Sequence, residues 1–536
     1  MGRAMNASRW GWLLALGLCA CVDGLVGGHD DRDVTSVKGA ENTIEWDGFV
    51  YVDPGAGDDG IGAAIRRQVK SSLGALREQG IGIRDRDAQR NLDPTSWIRT
   101  PLRVVDADGT PAERVLRVTY HYRDTALVDR SRTAGAPLEL PLLFGDYQAH
   151  YADLVPACTD ERTPAGDSLW YHYHPGRSAC RQKIATEASA IDDTTAALTE
   201  ANDQISRADR DRLFMPTRAV LTPADDPRET FPEYDRLWGF AGDTSRTMLV
   251  AYAFFGVDQD ESNPHDYGLR EMLRYQRTLR QHFPQLHVVR TDPFSMLLDF
   301  WVDGKKLDGV TWNDVENWVI DNTGFPPEAS TPAQRDQLLA QVVEHFSERW
   351  IYWELPVDVE LGGVHRNMTV QIRVFQGYED GNPEVRQHAQ WRYLEAFWDA
   401  DIFSYTGHSH FGHGPLAPFY YGAGNFPWRY QVMLINSCLS FNYYDQDFID
   451  VHPGGSGYLD VVTNGLAAYW EKMDEASARY LIALIDGHND SWSQLLQSMH
   501  VDLPWQRGYD PMRAVNGEPD NQFDARATPI TVRVRD

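Results

Sequence analysis

Strand-like and helix-like segments alternate over the last third of this chain. Apolar runs at 368–378, 401–407, 430–438 and 458–465 are interrupted by a helical pattern at 383–400 and by loops rich in glycine and proline. Strands that alternate with helices usually pair in parallel, because a parallel connection needs a long crossover. The pattern therefore predicts an α/β fold with a mainly parallel sheet flanked by helices.

The rest of the 536 residues predicts further segments. Residues 41–235 contain short strand-like runs broken by Pro, Gly and Asp, which predicts a β-rich accessory domain with one long helix at about 181–213. Residues 236–344 predict an α/β unit. Residues 345–536 are expected to form the domain with the mainly parallel sheet. Such a length suggests about three domains.

The first 21 residues have the features of an export signal. Two arginines precede the apolar run "WGWLLALGLCAC", which is too short to span a bilayer. Its end, "LCAC", resembles the bacterial lipobox, which implies cleavage before Cys21 and lipidation of that cysteine. The alternative is an ordinary secretory signal, and either reading predicts an exported protein of the cell envelope. Residues 22–40, rich in Gly and Asp, predict a flexible tether.

The net charge of −28 at pH 7 limits the possible partners. Phosphate backbones would be repelled, so we expect no nucleic-acid partner. An acidic surface is typical of a soluble exported body. Membrane contact is therefore expected through the lipid anchor only.

Five cysteines divide into three groups. Cys19 and Cys21 belong to the signal. Cys158 and Cys180 lie in a polar stretch, and in an oxidising compartment they are expected to form a disulfide. Cys438 remains alone in the body of the protein, where an unpaired thiol is either an inert buried group or a reactive one.

The stretch "YTGHSHFGHG" at 405–414 brings histidines close to this cysteine in the predicted sheet. His408 and Cys438 each follow a strand, and ligands of parallel sheets bind at the carboxyl ends of strands. A neighbouring imidazole can accept the proton of a thiol and later donate one to a leaving amine. The pair therefore predicts a Cys-His hydrolase.

Two short motifs resemble the caspase, metacaspase, gingipain and legumain superfamily of cysteine peptidases. They are 405–408, "YTGH", and 436–438, "NSC". The resemblance implies a caspase-like fold, a peptide or protein substrate and no cofactor. It also implies Cys438 as nucleophile, His408 as base, and an oxyanion hole formed by the backbone N–H groups of Ser409 and Cys438. Ser409 stands where the family has glycine.

Other functions remain open at this stage. His413 is an alternative base. His408, His410 and His413 together resemble the zinc motif of metallo-β-lactamase-like hydrolases, with Gly412 in place of its aspartate, which would give a zinc-dependent hydrolase. A non-catalytic surface-binding lipoprotein is the third possibility. Four polar residues after the nucleophile are candidates for a specificity pocket: Asp445, Asp460, Thr463 and Asn464.

Overall fold

The computed structural model describes residues 33–132, 137–159, 168–191, 203–225, 227–377, 383–413, 416–486 and 489–536. The predicted signal segment, Cys21 and residues 22–32 of the predicted tether lie outside these ranges. None of the helices within these ranges combines the length and the apolar composition that spanning a bilayer requires.

The described part of residues 33–225 contains ten strands and five α-helices. The strands are β1 (Val34–Thr35), β2 (Gly39–Val52), β3 (Ile81–Ile83), β4 (Ile98–Val105), β5 (Pro111–Asp129), β6 (Leu138–Glu139), β7 (Leu142–Leu143), β8 (Gln204–Ser206), β9 (Phe214–Met215) and β10 (Arg218–Pro223). The helices are α1 (Asp58–Glu78), α2 (Tyr151–Cys158), α3 (Leu169–His172), α4 (Ser178–Ala190) and α5 (Arg207–Arg210). Seven of the strands form a mixed sheet in the order β6-β10-β2-β5-β4-β8, with β3 paired to β5.

The described part of residues 227–536 contains the remaining elements. The strands are β11 (Met248–Gly256), β12 (His287–Asp292), β13 (Trp301–Val302), β14 (Lys305–Lys306), β15 (Trp350–Leu361), β16 (Val364–Gly377), β17 (Ile402–Gly407), β18 (Gln431–Ser437), β19 (Leu459–Asn464), β20 (Val501–Leu503), β21 (Gln506–Tyr509), β22 (Arg513–Asn516) and β23 (Ile530–Val534). The helices are α6 (Tyr234–Leu237), α7 (Tyr267–His282), α8 (Trp312–Glu316), α9 (Pro332–Phe346), α10 (Pro383–Asp399), α11 (Phe441–Val451), α12 (Met473–Ile485) and α13 (Trp492–Ser498).

A ten-stranded sheet organises this second part. Its order is β1-β22-β19-β18-β17-β11-β16-β15-β12, and β23 pairs with β15. The five central strands, β16, β11, β17, β18 and β19, run parallel, whereas every pair toward the edges is antiparallel. The mixed α/β class is therefore as predicted, and the parallel part of the sheet is its centre rather than its whole width.

The main sheet is covered on both faces. Side chains of one face, such as Phe254, Phe403 and Ile435, belong to a core shared with the N-terminal sheet and α1. Alternate side chains, such as Ala253 and Leu434, belong to a second core with α7, α9, α12 and α13. Because successive residues of a strand point to opposite faces, strands buried on both sides read as continuous apolar runs.

Two predicted features of the N-terminal part are wrong. The tether predicted to Ala40 ends earlier, because Val34 pairs with Val515 in the main sheet and β2 begins at Gly39. The long helix predicted at 181–213 is also wrong, since α4 ends at Ala190 and β8 pairs Ile205 with Val104.

The domain boundary predicted after residue 344 does not coincide with a structural boundary. Strand β11 precedes that boundary, yet it is one of the five parallel strands of the main sheet, between β17 and β16. The α/β unit at 236–344 and the domain at 345–536 thus share one sheet.

The disulfide predicted between Cys158 and Cys180 is present, with a sulfur–sulfur distance of 2.00 Å. The bond joins the end of α2 to the start of α4. Thr159 and Tyr173 form an isolated β-bridge beside the disulfide. The short helix α3 lies between the two cysteines, within the loop that the disulfide closes.

We expect the double variant Cys158→Ser, Cys180→Ser to lower the free energy of unfolding by about 3 kcal/mol, since a closed loop restricts the unfolded chain. Urea unfolding measures the change. Chemically reduced wild-type protein is the control and should match the variant. Equal unfolding midpoints for oxidised wild type and the double variant would contradict a stabilising disulfide.

Candidate functional site

Three neighbouring parallel strands end side by side at the candidate site. In the sheet, Gly407 of β17 is the register partner of Ser437 of β18, and Thr406 is the partner of Phe255 of β11. His408 and Cys438 are the next residues after one such pair. The two predicted catalytic residues therefore leave the sheet at the same level, from adjacent strands.

The imidazole of His408 has a carboxylate partner that the sequence did not indicate. Its Nε2 lies 3.2 Å from Oδ1 of Asp258, in the loop after β11. The Asp258 side chain is 13% exposed and that of His408 is 42% exposed, so the pair lies at the edge of solvent. Trp470 packs edge to face on the imidazole, with ring centroids 5.2 Å apart. A carboxylate bound to one ring nitrogen fixes the ring and leaves Nδ1 free to accept a proton.

The thiol of Cys438 is half-buried at the edge of the core. Its Sγ donates a hydrogen bond to the carbonyl oxygen of Ala468, at 3.5 Å, and burial raises the pKa of the Cys438 thiol. Among the described residues, no hydrogen bond joins this thiol to His408. The resting thiol is therefore protonated, and it must leave Ala468 before His408 can act as its base.

The turn that presents Cys438 is conformationally unusual. Leu439, the next residue, has φ of +52° although it is not glycine, and its side chain is fully buried. A bulky residue in the left-handed region costs about 1–3 kcal/mol and is found mainly at functional sites. The N–H of Leu439 donates to the carbonyl oxygen of Leu466, at 3.0 Å, which ties the turn to the loop after β19.

Buried amide and hydroxyl groups connect the strand ends beneath the thiol. Asn464 donates to the side-chain oxygen of Asn436 and to the carbonyl oxygen of Ser437, at 3.0 and 3.1 Å. Asn436 in turn donates to Ser477 of α12, which also bonds Thr406, both at 3.0 Å. Because these buried hydrogen bonds link the three strands directly and through α12, they hold the ends of β17, β18 and β19 in fixed positions.

Two tyrosines orient the backbone next to His408. Tyr405 donates to the carbonyl oxygen of His408, at 2.7 Å, and Tyr444 donates to that of Ser409, at 2.6 Å. The C=O and N–H of a trans peptide point in opposite directions, so the bond from Tyr405 also fixes the direction of the Ser409 N–H. Ser409 has φ of −79°, an ordinary value that does not require glycine.

The other two histidines lie farther from the strand ends. His413 is exposed and follows a tight turn, and His410 packs against His408 with ring centroids 5.8 Å apart. In the ranges that the structure describes, no group of three or more His, Cys, Asp or Glu side chains is arranged to hold a metal ion. The three imidazoles of the predicted zinc motif are thus not gathered around one point.

The predicted pocket residues occupy buried structural positions. Asp445 pairs with Arg84, at 2.8 Å, and accepts a hydrogen bond from Thr463, also at 2.8 Å. Asp460 lies near the start of β19, whereas Cys438 follows the other end of the neighbouring strand β18. The Asp460 carboxyl group accepts a hydrogen bond from Tyr430. Both carboxyl groups are fully buried, so they do not line an opening beside Cys438. The sequence suggested a pocket because these residues follow Cys438, whereas the buried partners Arg84 and Tyr430 come from other segments of the chain.

Asp460 provides a prediction about stability. Burial raises the pKa of its carboxyl to about 8, whereas an unfolded aspartate has a pKa of about 4. A raised folded-state pKa favours the folded protein below the unfolded pKa, and this contribution is lost as the pH rises toward the folded pKa. Asp460→Asn should therefore stabilise the protein progressively with pH, by about 2–4 kcal/mol near pH 8 relative to its effect near pH 4.

Urea unfolding of wild type and Asp460→Asn over this pH range tests that expectation. The substituted amide can still accept the hydrogen bond from Tyr430 and does not titrate. A constant difference between the two proteins at every pH would show that Asp460 is ionised in the folded state.

No protein-family model matches the chain, and no curated protein or solved structure is significantly similar to it. The functional residues therefore have to be inferred from the geometry of this chain. That geometry brings together Asp258, His408 and Cys438 at the carboxyl edge of one sheet.

Proposed function

We propose that this protein is an exported, lipid-anchored cysteine hydrolase that cleaves peptides or proteins, with Cys438 as nucleophile and His408 as base. The observation that carries the proposal is the placement of these residues directly after register partners of two adjacent parallel strands. Asp258, in the loop after β11 on the other side of β17, orients the imidazole. The orienting carboxylate, the base and the nucleophile thus follow three neighbouring strands of the sheet.

In this mechanism the substrate displaces the contact between the thiol and Ala468, and His408 takes the thiol proton. The thiolate attacks the scissile carbonyl, and the imidazolium is stabilised by Asp258. The N–H groups of Ser409 and Cys438 bind the oxyanion, each contributing about 3 kcal/mol. His408 then protonates the leaving amine, and water hydrolyses the thioester to release the acid and regenerate the thiol.

Within this class we propose a caspase-like endopeptidase. Support comes from 405–408 and 436–438, the two motifs that resemble that superfamily, which end neighbouring parallel strands. The serine at position 409 is compatible with the proposal, because its backbone conformation suits any residue. Export and anchoring at Cys21 rest on the lipobox-like segment, and membrane contact is proposed through that lipid alone, with no nucleic-acid partner and no cofactor.

Peptide cleavage combined with thiol labelling tests the proposal. Purified mature protein is incubated with a diverse peptide pool, with and without a chelator, and separately with iodoacetamide before mapping. We expect cleavage that resists the chelator and is lost when Cys438 is alkylated. Chelator-sensitive cleavage restored by zinc would favour the histidine metal site, and no cleavage of any peptide would favour a binding lipoprotein.

Asp258→Asn should lower kcat/KM by about 10- to 100-fold, because the amide no longer stabilises the imidazolium or fixes its tautomer. Asp260→Asn is a matched control, since Asp260 lies in the same loop and its side chain accepts hydrogen bonds from nearby Ser262. Steady-state kinetics with one cleaved peptide gives both values. Equal activity of the two variants would remove Asp258 from the mechanism.

A further inference from the structure

A short segment of the N-terminal part, residues 84–90, lies along the helix that follows Cys438. Arg84 pairs with Asp445 of α11, at 2.8 Å, and Arg90 pairs with Asp450 of the same helix, also at 2.8 Å. We call this stretch the arginine segment. It fastens the N-terminal sheet to the element immediately downstream of the candidate nucleophile.

Arg86, in the middle of the arginine segment, reaches the loop that carries the candidate base. We call residues 408–413 the histidine loop. Arg86 Nη1 donates to the carbonyl oxygen of Phe411, and its guanidinium lies over the ring of Tyr443, 4.5 Å from the centroid. An ion pair between Arg86 Nη2 and Asp87 Oδ2, at 2.7 Å, orients the same guanidinium.

The side chain of Phe411 is held by the same N-terminal part. Its ring packs against Tyr171, with centroids 4.6 Å apart, and against Trp170, at 5.9 Å. Both aromatic residues belong to α3, inside the disulfide-closed loop. Backbone and side chain of Phe411 are therefore both fixed by residues from outside the main sheet.

The histidine loop needs such support because its backbone is strained. His410, Phe411 and Gly412 have φ values of +46°, +55° and +79°. Each of the two non-glycine residues costs about 1–2 kcal/mol in this region, and such conformations persist only where the surroundings impose them. At Gly412 a Cβ would approach Arg86 Nη2 to 3.0 Å, so the guanidinium also occupies the space beside the turn.

The turn is linked directly to the proposed catalytic backbone. The N–H of Gly412 donates to the carbonyl oxygen of Ser409, at 2.9 Å, the same oxygen that Tyr444 holds. A change in the backbone at Phe411 would therefore move Ser409, whose N–H is a proposed oxyanion donor, and His408 beside it. A shift of about 1 Å in such groups can cost about 100-fold in rate.

We propose that Arg86 is a positioning residue for the histidine loop, so that the N-terminal part of the chain completes the candidate active site. This inference rests on the proposed function. It assigns the region before residue 235 a positioning role in catalysis: the arginine segment and α3 hold the backbone that carries the base and one proposed oxyanion donor. The main sheet alone would leave this loop without its outer support.

Kinetics of Arg86→Ala and Arg90→Ala test the proposal in the full-length protein. Arg90 is a matched control, because it joins the same segment to α11 but makes no contact with the histidine loop among the described residues. We expect Arg86→Ala to lower kcat by about 10- to 100-fold with little change in KM, while Arg90→Ala stays near wild type. Arg86→Lys, which keeps a donor for the Phe411 carbonyl, should recover part of the loss.

Phe411→Ala provides a second route if Arg86→Ala does not fold. It should reproduce the loss of kcat, and the double variant should lose little more than either single one, since both act through one loop. Folded Arg86→Ala and Phe411→Ala proteins with the kcat of Arg90→Ala would overturn the proposal. If Cys438→Ala retains wild-type activity, the proposed function itself is wrong, which is a separate outcome.

Discussion

Cys438→Ala is expected to reduce peptide hydrolysis by at least about a thousandfold, because the covalent step loses its nucleophile. The measurement is kcat/KM on a peptide that the wild type cleaves. Ser437→Ala is the matched control: Ser437 precedes Cys438 at the end of the same strand, and its hydroxyl has no hydrogen-bond partner among the described residues.

The control variant should remain near wild-type activity, and both variants should keep the wild-type fold because neither removes a large buried volume. Hydrolysis by Cys438→Ala at more than a few per cent of the wild-type rate would contradict a thiol nucleophile. A loss in both variants would instead indicate damage to the strand end.

His408→Ala is the second change with a large expected effect, of about a thousandfold or more in kcat. His410→Ala and His413→Ala are built-in controls from the same loop, and each should keep most of the activity. His408 alone directly follows a strand and has Asp258 as its partner. The double variant with Cys438→Ala should lose little more than either single variant, since the two residues act as one unit.

An equal loss from all three histidine variants would contradict this assignment and favour a metal loop. Loss of activity in His413→Ala alone would instead favour His413 as the base. Measuring the three variants with and without chelator separates these outcomes.

The sequence was most informative about the centre of the main sheet. Strands at 402–407 and 431–437 were predictable because both are buried on both faces, and such strands read as unbroken apolar runs. The edges were less predictable. Val34 pairs with Val515, almost the full length of the chain away, and no local pattern indicates such a pairing.

The helix predicted at 181–213 is wrong for a related reason. It was predicted because apolar residues recur there every seven positions, at Ile184, Ile191, Leu198 and Ile205. Ile205, however, is buried through a strand that pairs with β4. In contrast, α1 has Ile61, Ile65 and Val69 buried along one face. The spacing of apolar residues does not show which part of the protein they pack against. Tertiary contacts therefore decide whether such a segment forms a helix or a strand.

The candidate site likewise contains residues that the sequence could predict and residues that it could not. His408 and Cys438 were predictable, since each follows a recognisable strand within one stretch of sequence. Asp258 and Arg86 could not be found, because each reaches the histidine loop from a distant segment through the tertiary fold. Asp445 and Asp460 were misleading because their position after Cys438 suggested a pocket, whereas both are fully buried with partners.

Trapping of the acyl-enzyme tests the central claim most directly. Wild-type protein is mixed with a cleaved peptide ester, quenched in acid within one turnover and digested for mass spectrometry. The dyad predicts an acyl group on the peptide that contains Cys438, removable by hydroxylamine, and much reduced in His408→Ala. Continued hydrolysis by wild type with no acyl group on Cys438 at any time point would contradict a thiol nucleophile.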